Sequence, residues 1–326
     1  MSQEIQYVRD LLYRMTIKTD EQGREVRNSE DQVSWKALRE AERLDDPTLI
    51  DVAAQVLEET QDDETRGNAC FLWSHLAKNT GDAKAVRLMM DEFAKTNKMQ
   101  TKSRMMWSFA RVPEVPDAEM FLALSESSDD SIRREALRVL ARCRPEEVKG
   151  RLIEIIRHSN DQYDIVYTLW ALKQLRLREA LPDVLALIES PNGEIRSLAI
   201  RFAAEFGDVT HVPLFVSALE NDRSPDVKWS AMEALDQWGG DSETKTVLSR
   251  VKTIVSRQRK GGGQHPMSEL MHGLSFLWRV APDKEEVNKL LAALSTSKAD
   301  KLFEHEAKWL AELTKDSSEI VAKESF

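Results

Sequence analysis

The stretch that decides the fold is SIRREALRVLARCR, residues 131–144. Three further segments align beneath it: YDIVYTLWALKQLR from Tyr163, GEIRSLAIRFAAEFG from Gly193 and PDVKWSAMEALDQWG from Pro225. Arg133, Ile165, Arg196 and Lys228 then share one column, Ala136, Thr168, Ala199 and Ala231 a second, and Leu140, Leu172, Ala203 and Leu235 a third, at spacings of 32, 31 and 32 residues. Within each copy the apolar residues recur at the 3.6-residue period of a helix packed on one side. Working backward, TRGNACFLWSHLA from Thr65 puts Trp73 in the Leu140 column, and SRMMWSFAR from Ser103 is expected to put Trp107 there too.

A second amphipathic segment precedes each copy: PTLIDVAAQVLEE, AKAVRLMMDEFAK, DAEMFLALSES, VKGRLIEIIRH, LPDVLALIES and VPLFVSALEN. The turns between partners, QDDE, SSDDS, SND, SPNG and NDRSPD, carry the Asp, Ser and Asn that cap helix N-termini. The unit is a helical hairpin, helix A followed by helix B. One hairpin cannot bury its apolar face alone, so neighbours must stack into an α-solenoid.

These residues resemble HEAT repeats, in the short form also found in phycobilin-lyase subunits. The likeness is carried by Pro47, Pro182 and Pro213 early in helix A, by the starts Asp130/Arg133, Glu194/Arg196 and Asp226/Lys228 of helix B, and by its A-x-x-A-L core. It covers about Asp46 to Gly239 and implies an all-α, right-handed solenoid of antiparallel hairpins with a period of about 32. It says little of function, because the motif is a packing rule. The expected organisation is an N-terminal helical cap (1–45) with a polar loop at 17–31, repeats over 46–242, divergent repeats over 243–316 with a flexible insertion at 256–266, and a polar tail (317–326), all in one continuous solenoid.

Composition agrees. The 326 residues include only 12 Gly and 10 Pro, against roughly 20 and 15 for average usage, so turns are scarce. Two cysteines, Cys70 and Cys143, make neither a disulfide framework nor a thiolate metal cluster. The start MSQEIQYVRDLLYRM is too charged for a secretion signal, and no run approaches a membrane span. A cytoplasmic protein is expected, with no membrane partner. There are 46 Lys and Arg against 56 Asp and Glu, a net charge of −10, which does not suit a nucleic-acid binder.

The basic column at 133, 196 and 228, with Arg66 close to it, reads as a structural clasp joining the Asp of the preceding turn to neighbouring helix ends. The candidate site lies on helix-B positions outside the core, which line the concave face in this architecture. One column reads Phe71, Met105, Arg138, Trp170, Arg201, Glu233; its neighbour reads Arg134, Val166, Ser197, Trp229. Arg134, Arg138 and Arg142 are spaced i, i+4, i+8 on one helical face. Arg104 and Arg111 fall on the preceding helix B, and Tyr167 lies beside Trp170. The expected contact set is therefore Arg134, Arg138, Arg142, Tyr167, Trp170, Arg201 and Trp229, in which arginines pair with carboxylates and aromatic rings supply buried area.

The function that follows is a non-enzymatic scaffold or adaptor for a protein or peptide bearing acidic and apolar groups, without metal or cofactor. A lyase-like chaperone subunit and a toxin-neutralising immunity protein fit the same reading. Nucleic-acid recognition is the alternative: alkylpurine DNA glycosylases built on HEAT-like repeats use concave Trp, Asp and Arg, an order that Trp170, Arg201 and Trp229 imitate. Here, however, Gln174 stands where the acid would be, and Glu205 and Glu233 come later. His305-Glu306 resembles one His-Glu pair of deoxyhypusine hydroxylase, but a di-iron centre needs several such pairs. Lys260 to Gly263 lacks the Gly-Lys-Ser/Thr ending of a phosphate loop, His265 precedes Pro266 in the same stretch, and no nucleophile-elbow or zinc motif is present.

Overall fold

The computed structural model describes residues 2–60, 62–259, 266–282 and 284–313. Residues 260–265, the centre of the expected insertion, and the tail 317–326 lie outside the described residues. The chain divides into two compact units, Met1–Leu177 and Arg178–Phe326.

The first unit contains α1 (Gln3–Arg14), α2 (Val33–Ala41), α3 (Thr48–Glu58), α4 (Asp63–Thr80), α5 (Ala83–Lys95), α6 (Met99–Phe109), α7 (Glu119–Leu124), α8 (Asp130–Leu140), α9 (Pro145–His158) and α10 (Gln162–Gln174). Helices α4, α6, α8 and α10 pack in succession, with α5 against α4 and α6, α7 against α8, and α9 against α10. At the N-terminus Arg14 of α1 pairs with Glu40 of α2 at 2.8 Å, and the Tyr7 hydroxyl donates to the same carboxylate at 2.7 Å. Farther along, Phe93, Phe109 and Phe121 are fully buried, with ring centroids 5.1–5.6 Å apart. They join α5, α6 and α7 by edge and tilted aromatic contacts.

The second unit contains α11 (Leu181–Leu185), α12 (Gly193–Phe206), α13 (Val212–Asn221), α14 (Pro225–Trp238), α15 (Thr244–Val255), α16 (Glu269–Val280) and α17 (Lys284–Ser295); residues 304–313 are also helical. Here α12, α14 and α16 pack in succession, with α11, α13 and α15 as their antiparallel partners. One apolar core runs through the unit, from Ile200 and Phe215 through Leu235 and Val251 to Leu277, Leu291 and Leu310. The described part of the insertion is anchored: Arg259 pairs with the buried carboxylate of Glu306, which also accepts from the Ser268 hydroxyl and, at 2.9 Å, from the Phe303 backbone N–H.

The polar turns cap as their chemistry dictates. Asp62 accepts from the Thr65 amide, Asp129 from Ser131 and Ile132, Asp161 from Tyr163 and Asp164, and Asn192 from Glu194. Hydrogen bonds from Thr65 and Ser131 hold the Asp62 and Asp129 carboxyls below the ordinary carboxylate value. The cap also fixes the register. With Asp62, Lys98, Asp129, Asp161, Asn192 and Ser224 as caps, the residue eleven places on is Trp73, Phe109, Leu140, Leu172, Ala203 or Leu235, and each is at most 1% exposed.

Four places beyond a cap stands the basic column. Arg133 Nε donates to Asp164 at 2.5 Å and its Nη1 to the Ser127 carbonyl oxygen at 2.9 Å. Arg196 makes a two-pronged pair with Asp222 at 2.7 and 2.8 Å and reaches the Ser190 carbonyl at 2.7 Å. Lys228 donates to the carbonyls of Leu219 and Glu220, and Arg66 pairs with Glu92. Each side chain thus ties off carbonyls or carboxylates beside its own helix. Arg133 joins Asp130 of the preceding turn, at 2.9 Å, to Asp164 of the following hairpin, as the sequence suggested, whereas the acid that Arg196 grips, Asp222, belongs to the following hairpin.

Candidate functional site

Nine places beyond the caps the row reads Phe71, Trp107, Arg138, Trp170, Arg201 and Glu233, and none of these is buried. Trp107 takes the place that the alignment gave to Met105. The expectation that Trp107 fills the Leu140 column is corrected: Met105, Met106 and Phe109 are fully buried, while Trp107 is 47% exposed. Val166, expected in the outward column, is also buried.

In the first unit these positions form an alternating row of cations and rings across α4, α6, α8 and α10. The Arg111 guanidinium lies 5.7 Å from the Phe71 ring and 5.8 Å from Trp107; Arg138 lies 4.8 Å from Trp107 and 5.1 Å from Tyr167; Arg134 lies 4.4 Å from Tyr163. Such contacts hold a guanidinium flat and limit the rotamers it samples. Three rings of the row remain open to water: Trp107, Tyr163 (59%) and Trp170 (60%). On α10, Tyr163, Tyr167 and Trp170 follow at i, i+4 and i+7, so they share one helical face.

Charge along this row is balanced. Arg134 lies 3.2 Å from both Asp130 and Asp161, Arg104 lies 3.5 Å from Glu64, and Arg138 lies 3.7 Å from Glu135. Burial pushes the Glu135 carboxyl up, against the opposing pull of Arg138 and a hydrogen bond from Trp107. Arg142 stands beyond the end of α8 at Leu140, and its Nε donates to the Ala110 carbonyl oxygen at 2.9 Å, tying off the C-terminus of α6. Burial holds its guanidinium below arginine's ordinary value.

The second unit has its own row. Arg201 lies 5.5 Å from the Trp229 ring and 3.4 Å from Glu233. Trp229 is half-buried: its indole N–H donates to the Met267 carbonyl oxygen at 3.0 Å and its ring meets His272 edge-on at 5.7 Å. His272 in turn contacts Asp236 at 3.1 Å. The seven expected contact residues thus divide, with Arg134, Arg138, Arg142, Tyr167 and Trp170 in the first unit and Arg201 and Trp229 in the second.

Sequence reasoning missed Trp107 and Tyr163. The signal for Trp107 was Lys98, which caps α6 without a side-chain hydrogen bond and so does not advertise itself as a cap. Among the described residues no group of three His, Cys, Asp or Glu side chains gathers to hold a metal ion. Glu306 of the His-Glu pair is committed to Arg259. Both thiols are buried, which pushes Cys143 up to about 12 and Cys70 higher still.

Helix pairs stacked and clasped in this way make an all-α solenoid fold consistent with HEAT-like repeats. Residues 151–236 match the family model described as HEAT repeats. Importin β superposes with a TM-score of 0.52 at 12% identity, over 91% of this chain and 43% of that one; the chain thus spans less than half of importin β, and the likeness is one of fold. An engineered protein superposes with a TM-score of 0.46 at 17% identity (94% of this chain, 90% of that one), and the E. coli protein YibA with a TM-score of 0.45 at 16% identity (82% and 96%). No curated protein sequence matches the chain. Among the described residues no helix is long and apolar enough to cross a membrane.

Proposed function

We propose that this chain is a non-enzymatic scaffold that binds a protein or peptide through the exposed positions of its helix-B rows. The observation that carries this reading is the row of exposed aromatic rings in the first unit, Trp107, Tyr163 and Trp170, interleaved with preorganised arginines. Exposed Trp and Tyr held beside Arg are the side chains that dominate binding energy at protein interfaces. Arg134, Arg138, Tyr167 and Trp170 form the contact centre of the first unit, with Arg142 supporting it from the end of α8. Arg201 and Trp229 are the corresponding pair in the second.

Against the nucleic-acid alternative stands the pairing of arginines with carboxylates. Arg104, Arg134 and Arg201 each have an acid within 3.5 Å, whereas a phosphate track needs cations free to displace counterions. The test is to capture the partner from the native host and measure its affinity for a Trp107→Ala/Trp170→Ala variant. Affinity should fall at least about thirtyfold, the scale of one hot-spot side chain, with thermal stability retained. Unchanged affinity would show that another face binds.

A further inference from the structure

Within the first unit's row one arginine is different from its neighbours. Arg134 is committed to Asp130 and Asp161, Arg104 bonds Glu64 at 3.5 Å, and Arg111 donates to the Trp107 carbonyl oxygen at 2.6 Å. Arg138 has its guanidinium against two rings, 4.8 Å from Trp107 and 5.1 Å from Tyr167, yet makes no hydrogen bond to any described residue. Its nearest acid, Glu135, is 3.7 Å away, outside hydrogen-bond reach. About a third of its side chain is exposed (35%). The result is a guanidinium held beside two rings and paired with Glu135 only at a distance, so that its N–H groups still lack a hydrogen-bond acceptor; it is flanked by the exposed Trp107 and, one turn beyond Tyr167, by the exposed Trp170.

We propose that Arg138 is a receptor for a single carboxylate, supplied by an Asp, Glu or C-terminus within a short partner segment whose neighbouring apolar side chains pack on Trp107 and Trp170. This rests on the functional reading above and names the partner's chemistry. Two parallel N–H groups match the two oxygens of a carboxylate, and the entropy of holding the arginine is already spent in the ring stack. A phosphate dianion fits less well. It asks for more than one unspent cation, and the neighbouring Arg134, one turn before Arg138, is already taken up by Asp130 and Asp161.

The experiment selects random dodecapeptides displayed on phage against the full chain and, in parallel, against Arg138→Gln. The account expects wild-type selections enriched in Asp or Glu next to Leu, Phe or Trp, with representative peptides losing about ten- to hundredfold in affinity when Arg138 becomes Gln or the peptide acid becomes its amide. Arg138→Lys, which keeps the charge without the planar fork, should fall between, and all variants should keep the wild-type melting temperature within a few degrees. Peptides that bind Arg138→Gln as well as wild type but are weakened by Trp107→Ala would overturn the carboxylate assignment and leave the surface standing. Peptides indifferent to both substitutions, or no selectable peptide at all, would overturn both. Displacement of the peptide by inorganic phosphate at concentrations where acetate fails would assign the site to phosphate and overturn the proposal.

Discussion

Replacing Arg196 by Met should destabilise the second unit by about 3 kcal/mol at neutral pH. The guanidinium donates in parallel to both Asp222 oxygens at 2.7 and 2.8 Å and to the Ser190 and Pro191 carbonyls at 2.7 and 3.1 Å. Methionine keeps much of the stem and removes every donor. Taking one partner from a buried pair costs about 3–5 kcal/mol, and here the two side chains keep 18% and 13% of their surface in water, so the low end applies. The Arg196 hydrogen bond also holds the Asp222 carboxyl below its ordinary value of 3.8, which fixes the sign with pH. The pair's contribution is complete above that value and is lost as pH falls through the lower native one, so wild type and variant should converge in acid. Urea unfolding followed by circular dichroism gives the size. Hydrogen exchange over α13 and α14 gives the location, since a solenoid need not unfold in one step. The double variant Arg196→Met/Asp222→Leu should recover most of the loss. A single-variant effect below about 0.5 kcal/mol, the range of ordinary surface changes, would refute the clasp.

Three further outcomes follow from packing and charge. Phe109→Ala opens the aromatic cluster with Phe93 and Phe121 and should cost about 3–5 kcal/mol in denaturant unfolding. Gly239→Ala places a Cβ 2.7 Å from both the Leu235 carbonyl oxygen and a Phe276 ring carbon, and should cost about 1–3 kcal/mol, read as a lowered melting temperature. Burial raises the Glu306 pKa, but hydrogen bonds from Arg259, Ser268 and Phe303 outweigh it and leave the carboxyl below its ordinary 4.5. Glu306→Gln should therefore speed hydrogen exchange over residues 304–313 at pH 7, with the difference shrinking as pH falls below the native value.

The fold was legible because two signals coincide in helix B: an Asp or Asn that caps, and small or apolar residues at fixed distances beyond it. Where the cap is Asp129, Asp161 or Asn192, the sequence register and the structure agree to the residue. At α6 the cap is Lys98, the landmark is lost, and the alignment slipped by two places, hiding Trp107 in an expected core and offering Met105 as surface. Trp229 shows the complementary limit. Its column was read correctly, yet the bond from its indole to the Met267 carbonyl depends on where the backbone before α16 passes, which no helical period encodes. Arg142 marks a helix end, since spacing by fours assumes a helix that stops at Leu140.

Hydroxyl-radical footprinting of the full chain, alone and with its captured partner, tests the central claim most directly, because it reads the accessibility of individual Trp and Tyr rings. The account predicts that Trp107, Tyr163 and Trp170 are readily oxidised in the free chain and protected in the complex, while Tyr13, equally exposed on α1 at 65%, is unchanged. Full reactivity of those three rings in the complex, with protection elsewhere, would contradict it.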